Sequence, residues 1–199
     1  MCGVRARKID SVTEYKYLGT IFTDKLNWDK NTDAIAKKGQ QRLYFLRKLN
    51  SFSVDKTVMN LFYKSFIESI LTFSFICWFR NLTIKQKKSL ERITSLSSKI
   101  IGDEQRSLGR FCDGQILKKA YSITKDDCHV LFGEFEHMKS GRRFRCMKCR
   151  TNRYGQSFIP SAIRLLNDPK WCWLWPVMIY IIYRLSFKSY ITTFFKNIF

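Results

Sequence analysis

The stretch Glu14-Tyr15-Lys16-Tyr17-Leu18-Gly19-Thr20-Ile21-Phe22, running on through Leu26-Asn27-Trp28, decides the fold. Tyr15, Tyr17 and Gly19 alternate with Lys16, Leu18 and Thr20, the period of an extended strand. Thr23-Asp24-Lys25 has the composition of a turn, so Leu26–Trp28 is expected as a short return strand. Gly19 inside the first strand predicts a bulge or a close backbone approach. A two-stranded hairpin is marginal by itself, so it is expected either to pack on the first helix or to stay poorly ordered.

After the hairpin the apolar period becomes helical. Ala36, Gly39, Leu43, Leu46 and Leu49 predict a helix over roughly 32–49, with Asp29 or Asn31 as its cap. Its other face carries Lys37, Lys38, Arg42, Arg47 and Lys48, read either as a solvated face or as a row of phosphate contacts. Ser53 and Asp55 open a second helix. Val58, Leu61, Phe62, Phe66, Ile70 and Phe73 carry it to Phe79 as the buried central element, with Trp78 in the core. Lys64 and Glu68 interrupt it as a membrane span. Thr83 and Gln86 fit a capping box, and Gly102 fits a helix-ending glycine after Leu90, Ile93, Ser97 and Ile100.

The expected fold is therefore mainly α. Residues 1–30 hold the β-hairpin and 31–102 a three-helix bundle. Residues 103–167 form a loop-rich basic segment, and 168–199 an apolar aromatic tail. A short helix is expected around Gly114–Ser122 and a proline-initiated one over Ser157–Asn167. The tail reads as read-through of A/T-rich DNA or, through residues 171–195, as a membrane-associated segment.

Lys and Arg number 36 against 16 Asp and Glu, a formal net charge of +20. Such a balance points to a polyanionic partner, nucleic acid first and an anionic membrane surface second. The densest basic run holds Arg142, Arg143, Arg145, Lys148, Arg150 and Arg153 with no acidic residue from Lys139 to Arg153. Phe144 interleaves with it and Tyr154 and Phe158 follow it, and aromatic faces stack on exposed bases. The seven cysteines are odd in number and irregular in spacing, and Met1–Lys8 lacks the apolar core of a signal peptide. Reduced thiols in the cytoplasm or nucleus are expected.

Catalytic chemistry finds little support. Asp126-Asp127 is the only adjacent pair of aspartates and lacks the aromatic-led hairpin of a polymerase site, so it reads as solvated or capping a turn. His129 and His137 are the only histidines, and no His-x-Asp is present for an iron site. No glycine-rich cofactor loop exists, so no cofactor is expected. Cys146 and Cys149 form a Cys-x-x-Cys pair that, with Cys128, His129 or His137, offers a weak zinc set, against two unpaired thiols in a basic loop.

Three stretches carry a resemblance. They are Tyr15–Phe22 with Leu26–Trp28; Lys37–Leu49 with Leu61–Ile70 and Cys77-Trp78; and Ser140–Arg145 with Arg150–Tyr154 and Ser157–Ile163. Together they resemble the post-palm region of reverse transcriptases from LINE-type, non-LTR retrotransposons. That resemblance implies a primer-grip hairpin containing Tyr17, Leu18 and Gly19, and a thumb bearing Lys37, Lys38 and Arg42. It implies an RNA or RNA/DNA duplex as partner. The palm's catalytic carboxylates have no counterpart here, so the chain reads as a non-catalytic fragment. The same segment also resembles the N-terminal domain of alkylated DNA repair protein AlkB homologue eight. That second likeness implies association with a 2-oxoglutarate/iron dioxygenase or a tRNA methyltransferase.

Overall fold

The computed structural model describes residues 12–169, which fold as a short hairpin followed by helices. The expectations for residues 1–11 and for the tail beyond Pro169 lie outside the described residues. The chain divides into two compact units between Cys112 and Asp113.

In the first unit, β1 (Glu14–Tyr17) pairs antiparallel with β2 (Thr20–Thr23), Tyr17 opposite Thr20. The turn therefore falls at Leu18-Gly19, not at Thr23–Lys25. Both turn residues have positive φ, 47° and 90°, as a tight two-residue hairpin loop demands. The glycine expected to mark a bulge is the second turn residue. Leu26–Trp28 is no strand, because its polar groups are already used. The Thr23 hydroxyl donates to the Asn27 side chain at 2.7 Å, and the backbone N–H of Leu26 donates to the Thr23 carbonyl at 2.9 Å.

The hairpin packs on α1 (Asp29–Ser51). Phe22 meets Trp28 edge to face at 5.6 Å, and the Asn31 side-chain oxygen accepts from the Ile21 N–H at 3.1 Å. Asn31 thus serves the strand and not the helix cap. Asp29 is the first helical residue and no side chain caps it.

The second helix is not continuous. It runs as α2 (Lys56–Phe62), a π-helical turn Tyr63–Glu68 and α3 (Ser69–Leu71). It breaks at Ser74, whose φ is 51°, and resumes as α4 (Phe75–Trp78) with a 3-10 turn to Asn81. The break frees the Phe73 carbonyl, and the buried Trp78 indole donates to it at 3.1 Å. The core side of this stretch is Met59, Tyr63, Ile67, Leu71, Phe75 and Trp78, all buried. Lys56–Asn81 is also the one stretch among the described residues long and apolar enough to cross a membrane.

α5 (Ile84–Ile101) has the expected boundaries. Thr83 and Gln86 form the capping box, and Gly102 closes the helix at φ 78°. α5 packs most extensively against α1, burying Leu90, Ile93, Ser97 and Ile101. Gly39 allows that approach. A Cβ there would lie 2.9 Å from Ile93 Cδ1 and 3.6 Å from Leu71 Cδ2.

α6 (Leu108–Thr124) begins in the first unit and continues in the second. It is longer than the helix expected over Gly114–Ser122. In the second unit α7 (Asn152–Gly155) and α8 (Phe158–Leu166) follow, the latter burying Pro160, Ala162, Ile163 and Leu165. α7 was not expected from the sequence. Thr151 caps it by accepting the Tyr154 N–H at 3.2 Å.

Two outcomes follow for stability. Gly39→Leu should destabilise the first unit by about 1–3 kcal/mol through overpacking against Ile93, read as a lower urea midpoint. Asp55 accepts from the Thr57 N–H at 2.8 Å, and hydrogen bonds to Thr57 hold its carboxyl below the usual range. Its contribution is present above the unfolded carboxyl pKa and is lost as pH falls through the folded value. Asp55→Asn should therefore remove part of the acid-side slope of stability against pH.

Candidate nucleic-acid interface

On α1, Lys37 and Lys38 are exposed, as are Arg47 and Lys48. From Ala34 to Ser51 the helix carries no carboxylate. Arg42 differs. Its guanidinium donates to the Phe66 carbonyl and lies 5.8 Å from the Phe66 ring centroid. It is half-buried and partly committed within the protein, which lowers its value as a phosphate contact.

A second basic row, absent from the expectations above, lies on α5. Lys85, Lys88, Arg92 and Lys99 stand at i, i+3, i+7 and i+14 of α5, on one face. All four are exposed, and none makes an ion pair among the described residues. At about 1.5 Å rise per residue the row is roughly 21 Å long. Helical spacing of the cations was the signal that could have found it. The apolar stripe of Leu90, Ile93, Ser97 and Ile100 on the same helix obscures it. Lys87 lies off this row. It donates to the Arg80 carbonyl at 3.1 Å and sits 5.7 Å from the Phe79 ring centroid. Burial and the neighbouring Arg80 charge push its pKa down.

Tyr17, Leu18 and Gly19 form the tip of the hairpin, and all are exposed. Leu18 and Gly19 line a small pocket of about 160 Å³ with Ile35, Lys38, Ile70 and Phe73. A larger open groove runs between α2, the π turn and α5, ending at Asp103–Arg110. Its charges are mixed. Glu91 within it is held by the Gly109 N–H and the Ser107 hydroxyl, each at 3.4 Å. The Tyr63 hydroxyl is buried with no hydrogen-bond partner among the described residues, and burial with the Glu68 and Glu91 charges pushes its pKa up.

In the second unit the chain from Glu136 to Arg145 folds back on itself. The N–H of Arg145 donates to Glu136 and that of Met138 to Arg143, both at 2.8 Å. Gly141, φ 67°, sits in the turn. Arg142, Arg143 and Arg145 are exposed on this ribbon, and Arg145 makes a loose 3.5 Å ion pair with Glu136. The Asn167 side chain clamps it, accepting from the Phe144 N–H and donating to the Phe144 carbonyl, both at 2.9 Å. Lys148, Arg150 and Arg153 are exposed along the following loop and α7.

The aromatic residues divide. Phe144 packs on His137 at 4.2 Å and on Phe135 at 6.2 Å, so it is an anchor and not a stacking platform. Phe158 is half-buried. Tyr154 alone of the three is exposed, and its hydroxyl donates to the Met147 sulfur at 3.2 Å.

The cysteines and histidines do not converge. Among the described residues no three of His, Cys, Asp or Glu gather as a metal site. Cys146 accepts from Asn167 at 3.6 Å, Cys149 packs beside Gly155, and the His137 ring lies on Phe144. Asp126 accepts the Cys128 N–H at 3.1 Å, a turn role.

Residues 28–69, from the start of α1 through the π turn, match the family model described as Alkylated DNA repair protein alkB homolog 8, N-terminal. That likeness to the alkB-homologue N-terminal domain covers a minor part of the chain. No curated protein matches, and no solved structure does. The matched stretch contains no histidine, so it does not supply the two histidines of an iron–2-oxoglutarate centre.

Asn167→Leu should release the ribbon. Two backbone groups of Phe144 would lose their partners, at about 1–3 kcal/mol each if left unsatisfied. Amide exchange over Glu136–Arg145 should quicken while α5 stays protected.

Proposed function

We propose that the chain is a non-catalytic module that binds an RNA or RNA/DNA duplex through its phosphates. The observation that carries this reading is the row Lys85, Lys88, Arg92 and Lys99 on α5, exposed and without ion pairs among the described residues. Cations on a rigid helix at this spacing neutralise successive phosphates without reading bases. The exposed Lys37, Lys38, Arg47 and Lys48 of α1 and the ribbon residues Arg142, Arg143 and Arg145 add to the same chemistry. A net charge of +20 strengthens attraction to any polyanion.

The order of hairpin, basic helix, central helix and capped third helix supports descent from the primer-grip and thumb region of a LINE-type reverse transcriptase. In that reading Tyr17, Leu18 and Gly19 sit at the edge of the duplex and α1 and α5 flank it. The cytoplasm or nucleus is where such a partner is met.

The match over residues 28–69 favours a second reading, an accessory module of an alkB-homologue type protein. Its substrate would also be a nucleic acid. The residues present fit an accessory role, since the matched stretch lacks the histidines of the iron centre.

Converting Lys85, Lys88, Arg92 and Lys99 together to Glu tests the proposal. Binding to a primer–template duplex should weaken by at least about tenfold and equally for unrelated sequences, with the circular dichroism of the protein unchanged. Unchanged affinity in that variant would remove α5 from the interface and overturn the reading.

A further inference from the structure

We infer that the seam between α1 and the α2–α3 stretch is a docking face for an anionic lipid surface, a role separate from phosphate binding by α5. Phe62, Phe66, Ile70 and Phe73 follow one side of the second helix, next to its buried row. Phe62 stacks on Phe66 at 4.9 Å, yet Phe66 remains 50% and Phe73 48% exposed. On α1, Lys38, Arg42, Phe45 and Leu49 share one side by helical spacing, and Phe45 is 56% exposed. The Arg42–Phe66 contact places these two sides together. Single exposed apolar residues are ordinary, but a continuous run of them is not.

The charges on this seam are of one sign. Lys38 is its exposed cation, Arg42 is half-buried against Phe66, and no carboxylate among the described residues lies on it. Glu68 and Glu91 line the groove on the opposite side of the second helix. A second copy of the chain would bring the same cations against the same cations. An anionic bilayer answers both features, headgroup phosphates meeting the cations while the acyl boundary takes phenylalanine and leucine.

The ends of the seam favour a fluid surface over a shaped protein partner. Leu18, at the hairpin tip, is 72% exposed, and Phe52, in the turn after α1, is 75% exposed. Leu18 holds a left-handed conformation that asparagine or glycine adopts at less cost. Protruding apolar residues at turn tips can insert among lipids without a matching pocket. Only 28% of the most apolar window in Lys56–Asn81 is buried within the protein.

Vesicle co-sedimentation of the full chain tests this, comparing phosphatidylserine/phosphatidylcholine vesicles with phosphatidylcholine alone. The wild type should bind the anionic vesicles and not the neutral ones. Phe66→Ser combined with Phe73→Ser should lower the partition by about tenfold or more, as expected for losing two inserted rings. Phe52→Ser with Leu18→Asn, both outside the core, should also lower it while leaving circular dichroism unchanged. Wild-type partition in that second pair would overturn the proposal and move the lipid contact to other basic or apolar segments. A wild type that ignores anionic vesicles but dimerises on size exclusion would overturn it in favour of a second copy.

Discussion

The close approach of α1 and α5 at Gly39 is the constraint on which the first unit depends. With no side chain at that point, Ile93 packs over the α1 backbone and the two helices share one interface. The candidate surfaces of the first unit hang from this pair. The hairpin is fixed to the start of α1 through Asn31 and Trp28. The second helix lies against α1 through its row of buried residues. With the apolar face of α5 turned inward, its row of four cations is left in solvent.

The helical order was legible in the sequence because capping chemistry and apolar period agreed. Thr83, Gln86 and Gly102 marked α5 nearly to the residue. The sequence predicts the hairpin turn later than the Leu18-Gly19 position where it falls. A leucine seldom takes positive φ, so Leu18-Gly19 did not look like a two-residue turn, and Thr23-Asp24-Lys25 did. The sequence predicts a continuous second helix because nothing in Thr72-Phe73-Ser74 breaks a helix by propensity. The break is a tertiary effect, stabilised by the Trp78 indole on the freed Phe73 carbonyl.

The candidate surfaces were partly legible. Exposure of Lys37, Lys38 and the arginines of the ribbon followed from their polarity. What composition could not show is which basic groups are already occupied. Arg42 is turned onto Phe66, and Phe144 is clamped by Asn167 and stacked on His137. The α5 row is broken up along the sequence by Gln86, Lys87, Glu91 and the apolar and hydroxyl residues of the buried stripe. A pattern search for cations at helical spacing reads it directly.

These features describe a scaffold in which apolar packing sets the direction of charge. The central claim is that exposed cations on rigid helices meet phosphates. The salt dependence of duplex binding by the full chain tests it most directly. Counterion release predicts a straight line of log affinity against log salt, with a slope of about −0.9 per phosphate and roughly −3 to −4 from α5 alone. Affinity that is flat across the same salt range would contradict the account.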